Sequence, residues 1–255
     1  MGKALVIFAS KGDEKSFAPI LKGLEEHKIQ YDFHLCSVHR TPHKLHPLLE
    51  GDYDFVISGA GLSAALPGAI AAAITKPVVG VPCEGSYQGL DAFLSVMQMP
   101  PGIPVLGVGV NRGEAAVFAA LKLMRSYHDV NIIGEQHSRA QEKCERTLRE
   151  FDIPFRSTHK IEKNAVNIEF VSLDETLPEK DDLVIQVPLL LDDDDTAEAA
   201  LNVLKHAQHN VWVGLNNGVN AAIAAVQILN KDGKYDGHLK EYREHRKLMK
   251  SDSGE

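Results

Sequence analysis

Val-Gly-Val-Asn-Arg-Gly-Glu-Ala-Ala-Val-Phe-Ala-Ala-Leu, residues 108–121, returns in altered form as Val-Gly-Leu-Asn-Asn-Gly-Val-Asn-Ala-Ala-Ile-Ala-Ala-Val, residues 213–226. Upstream, Leu-Glu-Glu-His-Lys-Ile-Gln-Tyr from Leu24 matches Leu-Arg-Glu-Phe-Asp-Ile-Pro-Phe from Leu148. The offset falls from 124 to 105 residues between the two matches. A chain that repeats itself in this way uses one structural plan twice. We divide it into residues 1–127 and a second, altered copy, 128–255. The 19-residue shortfall is assigned mostly to the stretch between Asn164 and Val187. The second copy is then expected to lack a counterpart of Gly59–Lys76.

Working outward, the first copy alternates apolar runs with helical periods. Strands are expected at Ala4–Phe8, Tyr31–Leu35, Phe55–Ser58, Val78–Val81 and Val105–Val108. Helices are expected at Glu14–Glu26, Pro42–Leu49, after Pro67, at Leu90–Met97 and at Glu114–Ser126. Strands alternating with helices imply an α/β fold, a three-layer parallel sheet with helices on both faces. Such sheets bind ligands at the carboxyl ends of their strands.

The 255 residues are 44% hydrophobic, enough for a substantial core, and carry a formal net charge of -8. That charge argues against nonspecific nucleic-acid or anionic-membrane binding, so an anionic ligand needs a local basic pocket. Cys36, Cys83 and Cys144 are an odd number without metal-ligand spacing and fit a reducing compartment. No apolar run approaches a membrane span and the N-terminus reads as a strand rather than a signal peptide, so a cytoplasmic location is expected.

Four segments carry chemistry. Ser10-Lys-Gly-Asp13 follows the first strand and opens a helix, where backbone N–H groups can hold a phosphate or a ligand hydroxyl. The bland reading is a helix cap. Ser37-Val-His-Arg40 follows the second strand: Arg40 can grip a phosphate or carboxylate with two parallel hydrogen bonds, and His39 can exchange a proton near neutral pH. Thr41-Pro42 reads as an N-cap and first helical residue, holding His39 at the mouth of a pocket. Gly59-Ala-Gly-Leu-Ser63-Ala-Ala-Leu-Pro-Gly68 is a glycine-rich loop that allows close approach of backbone to ligand, or simply a tight turn. Asp192–Asp195 precede a helical run and suit its positive end better than a calcium or magnesium site. His34, His39, His43 and His46 lack a common focus, so no metal is expected. At the 124 offset Ser10 and Asp13 align with Gly134 and His137, and Ser37, His39 and Arg40 with Ile161, Lys163 and Asn164. Polar residues that vanish together point to a shared task.

These residues, with Gly89-Leu-Asp91 and Gln98-Met-Pro-Pro-Gly-Ile-Pro-Val105, make the first half resemble the family of aminoimidazole ribonucleotide carboxylases and N5-carboxyaminoimidazole ribonucleotide mutases of purine biosynthesis. The resemblance runs from Ala4 to about Leu123, and the segment from Asn216 to about Tyr242 resembles the family's C-terminal part. It implies a flavodoxin-like fold assembled as a square octamer with sites at subunit junctions. For a tandem chain that becomes a homotetramer of pseudo-dimers, the second half structural. It implies aminoimidazole ribonucleotide and carbon dioxide as substrates, without metal, biotin or other cofactor. His39 is implied as general acid/base, with Ser10, Asp13, Ser37 and Arg40 on the ribonucleotide and Gly61, Ser63 and Ala65 in the loop around carbon dioxide. The mutase branch usually has histidine where this chain has Ala65; Ser63 and Ala65 look like the carboxylases, whereas Leu62 and Arg40 depart from them. The carboxylase is therefore the first reading, the mutase the second, and a non-catalytic nucleotide-binding scaffold the third.

Overall fold

A computed structural model describes residues 2–134, 138–173, 177–190 and 195–252. Among the described residues ten strands form one sheet in the order β2-β1-β3-β4-β5-β10-β9-β8-β6-β7, and every neighbouring pair is parallel except β5 against β10. The strands are β1 Lys3–Phe8, β2 Gln30–Leu35, β3 Phe55–Ala60, β4 Val78–Pro82, β5 Leu106–Gly107, β6 Asp129–Ile133, β7 Phe155–Thr158, β8 Ala165–Val171, β9 Val184–Pro188 and β10 Val211–Trp212. The helices are α1 Glu14–Glu26, α2 Leu45–Leu49, α3 Ala65–Ala73, α4 Leu90–Met97, α5 Gly113–Leu123, α6 Arg139–Glu150, α7 Thr196–His206, α8 Gly218–Leu229 and α9 Asp236–Asp252.

The first strand shows why the layers form. Side chains alternate across a strand, so Ala4, Val6 and Phe8 enter a core that also holds Ile20 and Leu24 of α1 and Ala116 and Ala120 of α5. Leu5 and Ile7 enter the opposite core with Leu45 of α2 and Leu66 and Ile70 of α3. An apolar run buried on both faces is the mark of a parallel strand covered by helices. Each buried Val, Leu, Ile or Phe among them contributes roughly 1.5–3 kcal/mol by leaving water.

The order 7-6-8-9-10 retraces 2-1-3-4-5. A local detail recurs with it. Asn111, at φ 56°, donates its N–H to the Pro82 carbonyl (2.9 Å) and accepts from the Glu84 N–H (3.0 Å). Asn216, at φ 53°, donates to the Pro188 carbonyl (2.9 Å) and accepts from the Leu190 N–H (3.1 Å).

The structure relocates the shortfall. Residues 36–54 join β2 to β3, but only residues 159–164 join β7 to β8. Residues 61–77 and 172–183, which join β3 to β4 and β8 to β9, differ much less. The larger loss is therefore the counterpart of the Ser37–Leu49 segment, including α2, rather than that of Gly59–Lys76. Ile161, Lys163 and Asn164 do not stand in for Ser37, His39 and Arg40, because the backbone that would carry them is missing. The two matched stretches fixed the total shift but not where between them it accrues.

The sheet face beside this short connection differs as well. Leu5 pairs with Val56 beneath Leu45 and Tyr53, whereas at the matching ladder position Asn131 pairs with Asn167. Both asparagines are fully buried. Asn131 donates to the Lys160 carbonyl (2.8 Å) and to Asn167 Oδ1 (2.9 Å). Asn167 donates to the Glu162 carbonyl (3.1 Å) and accepts from the Glu162 N–H (2.9 Å). Two amides thus hold a short loop on this face of the second half, whereas the first half has an apolar pair.

Two expected starts shift. α3 begins at Ala65, so Pro67 lies inside its first turn, where a missing N–H costs nothing. Thr41 precedes a 3-10 turn at Pro42–Lys44 that leads into α2, but its hydroxyl does not cap it; it donates to the Ser37 carbonyl at 3.1 Å. Of the acidic run, Asp192–Asp194 lie outside the described residues; Asp195 caps α7, accepting from the Ala197 and Glu198 N–H groups at 2.9 and 3.0 Å. Among the described residues no helix is long and apolar enough to cross a membrane.

α8 starts hard against α6: a Cβ on Gly218 would collide with the Ala140 backbone carbonyl, while one on Gly237 of α9 would meet nothing within 4 Å. Gly218→Ala is expected to destabilise the chain by roughly 1–3 kcal/mol, and Gly237→Ala to stabilise it by roughly 0.5–1 kcal/mol. Urea unfolding of the two variants checks this contrast.

Candidate functional site

Parallel pairing brings the ends of the strands level. Phe8 is in register with Leu35 and Gly59, and Ala60 with Pro82. Backbone bonds carry the ladder one step beyond the strands: Cys36 N–H to Phe8 O (2.9 Å), Ala9 N–H to Gly59 O (3.1 Å) and Cys83 N–H to Ala60 O (2.9 Å). The segments Ser10–Asp13, Ser37–Arg40, Gly61–Ser63 and Cys83–Gly85 therefore emerge together at one edge.

Ser10 and Asp13 cap each other. The Ser10 hydroxyl accepts from the Gly12 N–H (3.1 Å) and Asp13 Oδ2 accepts from the Ser10 N–H (2.9 Å). The capping reading thus accounts for one carboxylate oxygen, and the other, Oδ1, lies beside Gly61, 3.7 Å from where a Cβ would stand. Burial raises the Asp13 pKa, opposed by hydrogen bonds from Ser10 and Cys83 and by the Arg40 guanidinium. Asp13, Arg40, Gly61 and Cys83 thus form one cluster drawn from the ends of four strands.

Ser37–Thr41 is a closed turn: the Ser37 carbonyl accepts from the Thr41 N–H (2.8 Å), and its hydroxyl from the Arg40 N–H (3.3 Å). The turn displays His39 and Arg40 to solvent. His39 makes no hydrogen bond or ion pair among the described residues and stands free for a ligand. In the glycine loop, Leu62 and Ala64 hold positive φ values of 53° and 28°. Strain of this kind, of order 1–3 kcal/mol for a non-glycine residue, gathers at ligand sites. The exposed Ser63 is tied by its carbonyl to the Ser95 hydroxyl (2.5 Å), and Ala65 is the half-buried first residue of α3.

The sequence reading missed the support behind Asp13. Burial pushes the Cys83 thiol up to about 12, so it stays protonated beside the carboxylate, with Ser16 close by. Ser16 donates to Asn111 Oδ1 (2.8 Å), and Asn111 donates to the Glu84 carboxylate (3.2 Å). Position was the available signal: Cys83 follows β4 and Asn111 follows β5, at the edge where ligands bind. The extra histidines stand apart, His34 in β2 and His46 paired with Glu50 at 3.3 Å. No group of three or more metal-ligating side chains gathers among the described residues.

An open, mostly parallel sheet with Asp13, Arg40 and a strained glycine loop at the carboxyl edge of its first five strands has the architecture of a ligand-binding α/β protein. Comparison specifies it further, since the AIR carboxylase family model matches residues 3–147. The N5-carboxyaminoimidazole ribonucleotide mutase of Methanocaldococcus jannaschii is 41% identical over 128 residues, 50% of this chain and 81% of the relative. That of Pyrococcus horikoshii is 31% identical over 179 residues, 68% of this chain and 93% of the relative. The chloroplastic phosphoribosylaminoimidazole carboxylase of Vigna aconitifolia is 34% identical over 143 residues, 52% of this chain but 26% of that longer protein. The chain belongs to the AIR carboxylase family.

The raised Asp13 pKa means that the folded protein holds this proton more tightly than the unfolded chain. Its contribution to stability is then fully present below the ordinary value of 3.8 and is lost as pH rises through the folded value. Asp13→Asn, which keeps an acceptor for the Ser10 N–H, should melt higher than the parent at pH 7, with the gap closing at pH values below 3.8. Calorimetry at both pH values provides the check.

Proposed function

We propose that this chain forms the C4 carboxylate of aminoimidazole ribonucleotide, with His39 moving the proton. The observation that carries the reading is the meeting of Arg40, Asp13 and Gly61 at one edge with a free imidazole one residue from Arg40. C4 of the ring is an electron-rich enamine carbon. Its attack on carbon dioxide leaves it tetrahedral, bearing a proton and the new carboxylate, and loss of that proton to His39 restores the aromatic ring. Arg40 and Ser37 hold the phosphate, Asp13 and Ser10 the ribose hydroxyls. Gly61, Ser63 and Ala65 enclose carbon dioxide. No metal or cofactor takes part.

Two carbon sources remain distinct readings. Ala65, small where the mutase pattern has histidine, favours direct carboxylation. The names of the archaeal relatives favour transfer from the N5-carboxylated ribonucleotide through carbon dioxide released in the site. The deciding experiment supplies each substrate separately, aminoimidazole ribonucleotide with bicarbonate or the N5-carboxylated ribonucleotide, and follows C4 carboxylate by absorbance. Turnover of neither would overturn the enzyme reading in favour of a nucleotide-binding scaffold. His39→Asn should bind nucleotide like the parent and lose at least about 100-fold in kcat; unchanged kcat would remove His39 from proton transfer.

The chain is read as a tandem duplication with one site, residues 1–127 catalytic and 128–255 structural, acting in the cytoplasm. Support comes from the sequence repeat, the retraced strand order and the Asn111 and Asn216 bonds. Four chains then make the assembly, and sedimentation should give a mass of four times 27.9 kDa; a mass of one or two chains would count against it.

A further inference from the structure

At the opposite end of the first-half strands lies a cavity of about 900 Å³ between α3, α9 and the Pro100–Ile103 segment. Tyr53, Lys76 and Ile103 in its wall precede β3, β4 and β5, whereas His39, Gly61 and Cys83 follow β2, β3 and β4. The two places are separated by the length of the sheet.

Arg243 of α9 spends one nitrogen on the Ile74 carbonyl, Nη1 donating at 2.6 Å. Its Nε and Nη2 are buried and have no acceptor among the described residues. Leaving buried donors of a charged group unpaired is costly, and burial accordingly lowers the Arg243 pKa. Lys76 and Arg246 set their charges over the Tyr53 and Tyr242 rings, at 4.5 and 4.8 Å from the centroids. Lys240 adds a fourth cation. None of the four is ion-paired with a carboxylate among the described residues, and only Glu150 and Glu244 bring negative charge to the lining. A positive pocket in a protein of net charge -8 stands out against its background. Leu49, Pro100, Pro101 and Ile103 supply an apolar wall.

We propose that this cavity is a second ligand site, taking a small organic anion whose phosphate or carboxylate meets Arg243 and Lys240 while a flat apolar body lies against the prolines. The volume is that of a small-molecule pocket rather than of a bare ion, and the cations of its wall, Lys76, Lys240, Arg243 and Arg246, favour an anionic group there. The site stands independently of the carboxylation chemistry.

Phenyl phosphate is the probe, titrated calorimetrically into Arg40→Ala protein so that the cation at the other end of the sheet is gone. One saturable site per chain is expected, with inorganic phosphate binding at least about tenfold more weakly because it lacks the ring. Adding Arg243→Met should weaken phenyl phosphate by about tenfold or more, and adding the exposed Lys240→Ala by about threefold. Absence of saturable binding, equal affinity for the two phosphates, or indifference to both added substitutions would overturn the site. A fall in the mass of the assembly on either added substitution, with no probe bound before it, would assign the cavity to a second copy of the chain instead.

Discussion

Two backbone residues, Trp212 and Gly107, make the antiparallel pair on which the arrangement rests. Without it each half would end in an open strand edge, a template for uncontrolled pairing. The strands on either side contain two residues each, so packing secures what hydrogen bonding alone would not. Trp212 is fully buried, with Phe93 and Met97 of α4, Val203 of α7 and Ala207 just after α7 in the same cluster. Its indole N–H donates to the His209 carbonyl at 2.8 Å. One core runs through both halves, from Phe8 and Leu24 to Cys144 and Ile223, so the seam is part of the interior rather than a hinge.

The antiparallel seam sends the second five strands opposite to the first. Asn217 and Asn220, where α8 begins, accordingly meet the loop that leads into β5: they donate to the Met99 carbonyl at 3.0 and 3.2 Å, and Asn220 accepts from the Gly102 N–H at 2.7 Å. In the first half, Asn111 at the corresponding turn braces Glu84 and Ser16 beside Asp13. One turn geometry thus supports the Asp13 cluster in one half and a contact between halves in the other. What differs is the neighbouring connection, since the segment that carries His39 and Arg40 has no equivalent between β7 and β8.

Strands such as β1 and β3 were legible because apolar runs buried on both faces leave little ambiguity, and Ser10, Asp13 and Gly61 stand out where strand ends meet glycine. Their meeting with Arg40 follows from the parallel order. Less was legible where side chains had a choice of partner: the Thr41 hydroxyl turns back to Ser37 rather than capping α2. Cys83 entered the sequence reading only through the cysteine count and spacing, because nothing local says that its strand ends beside Asp13. Of the seam only β5 was expected, at Val105–Val108, since a strand as short as β10 carries no period, and the length difference was assigned to the wrong connection because its flanking matches are far apart.

The exchange of Leu5 and Val56 for Asn131 and Asn167 also reaches the thermodynamics of the whole chain. Exposing apolar surface on unfolding raises heat capacity, and exposing polar surface lowers it. On this face the first half hides hydrocarbon under a helix, and the second hides amides that hold a loop. This face of the second half therefore adds less to the curvature of the stability curve than its counterpart does, and the force holding it together fades less on cooling. The two ends of one continuous sheet respond to temperature by different physics.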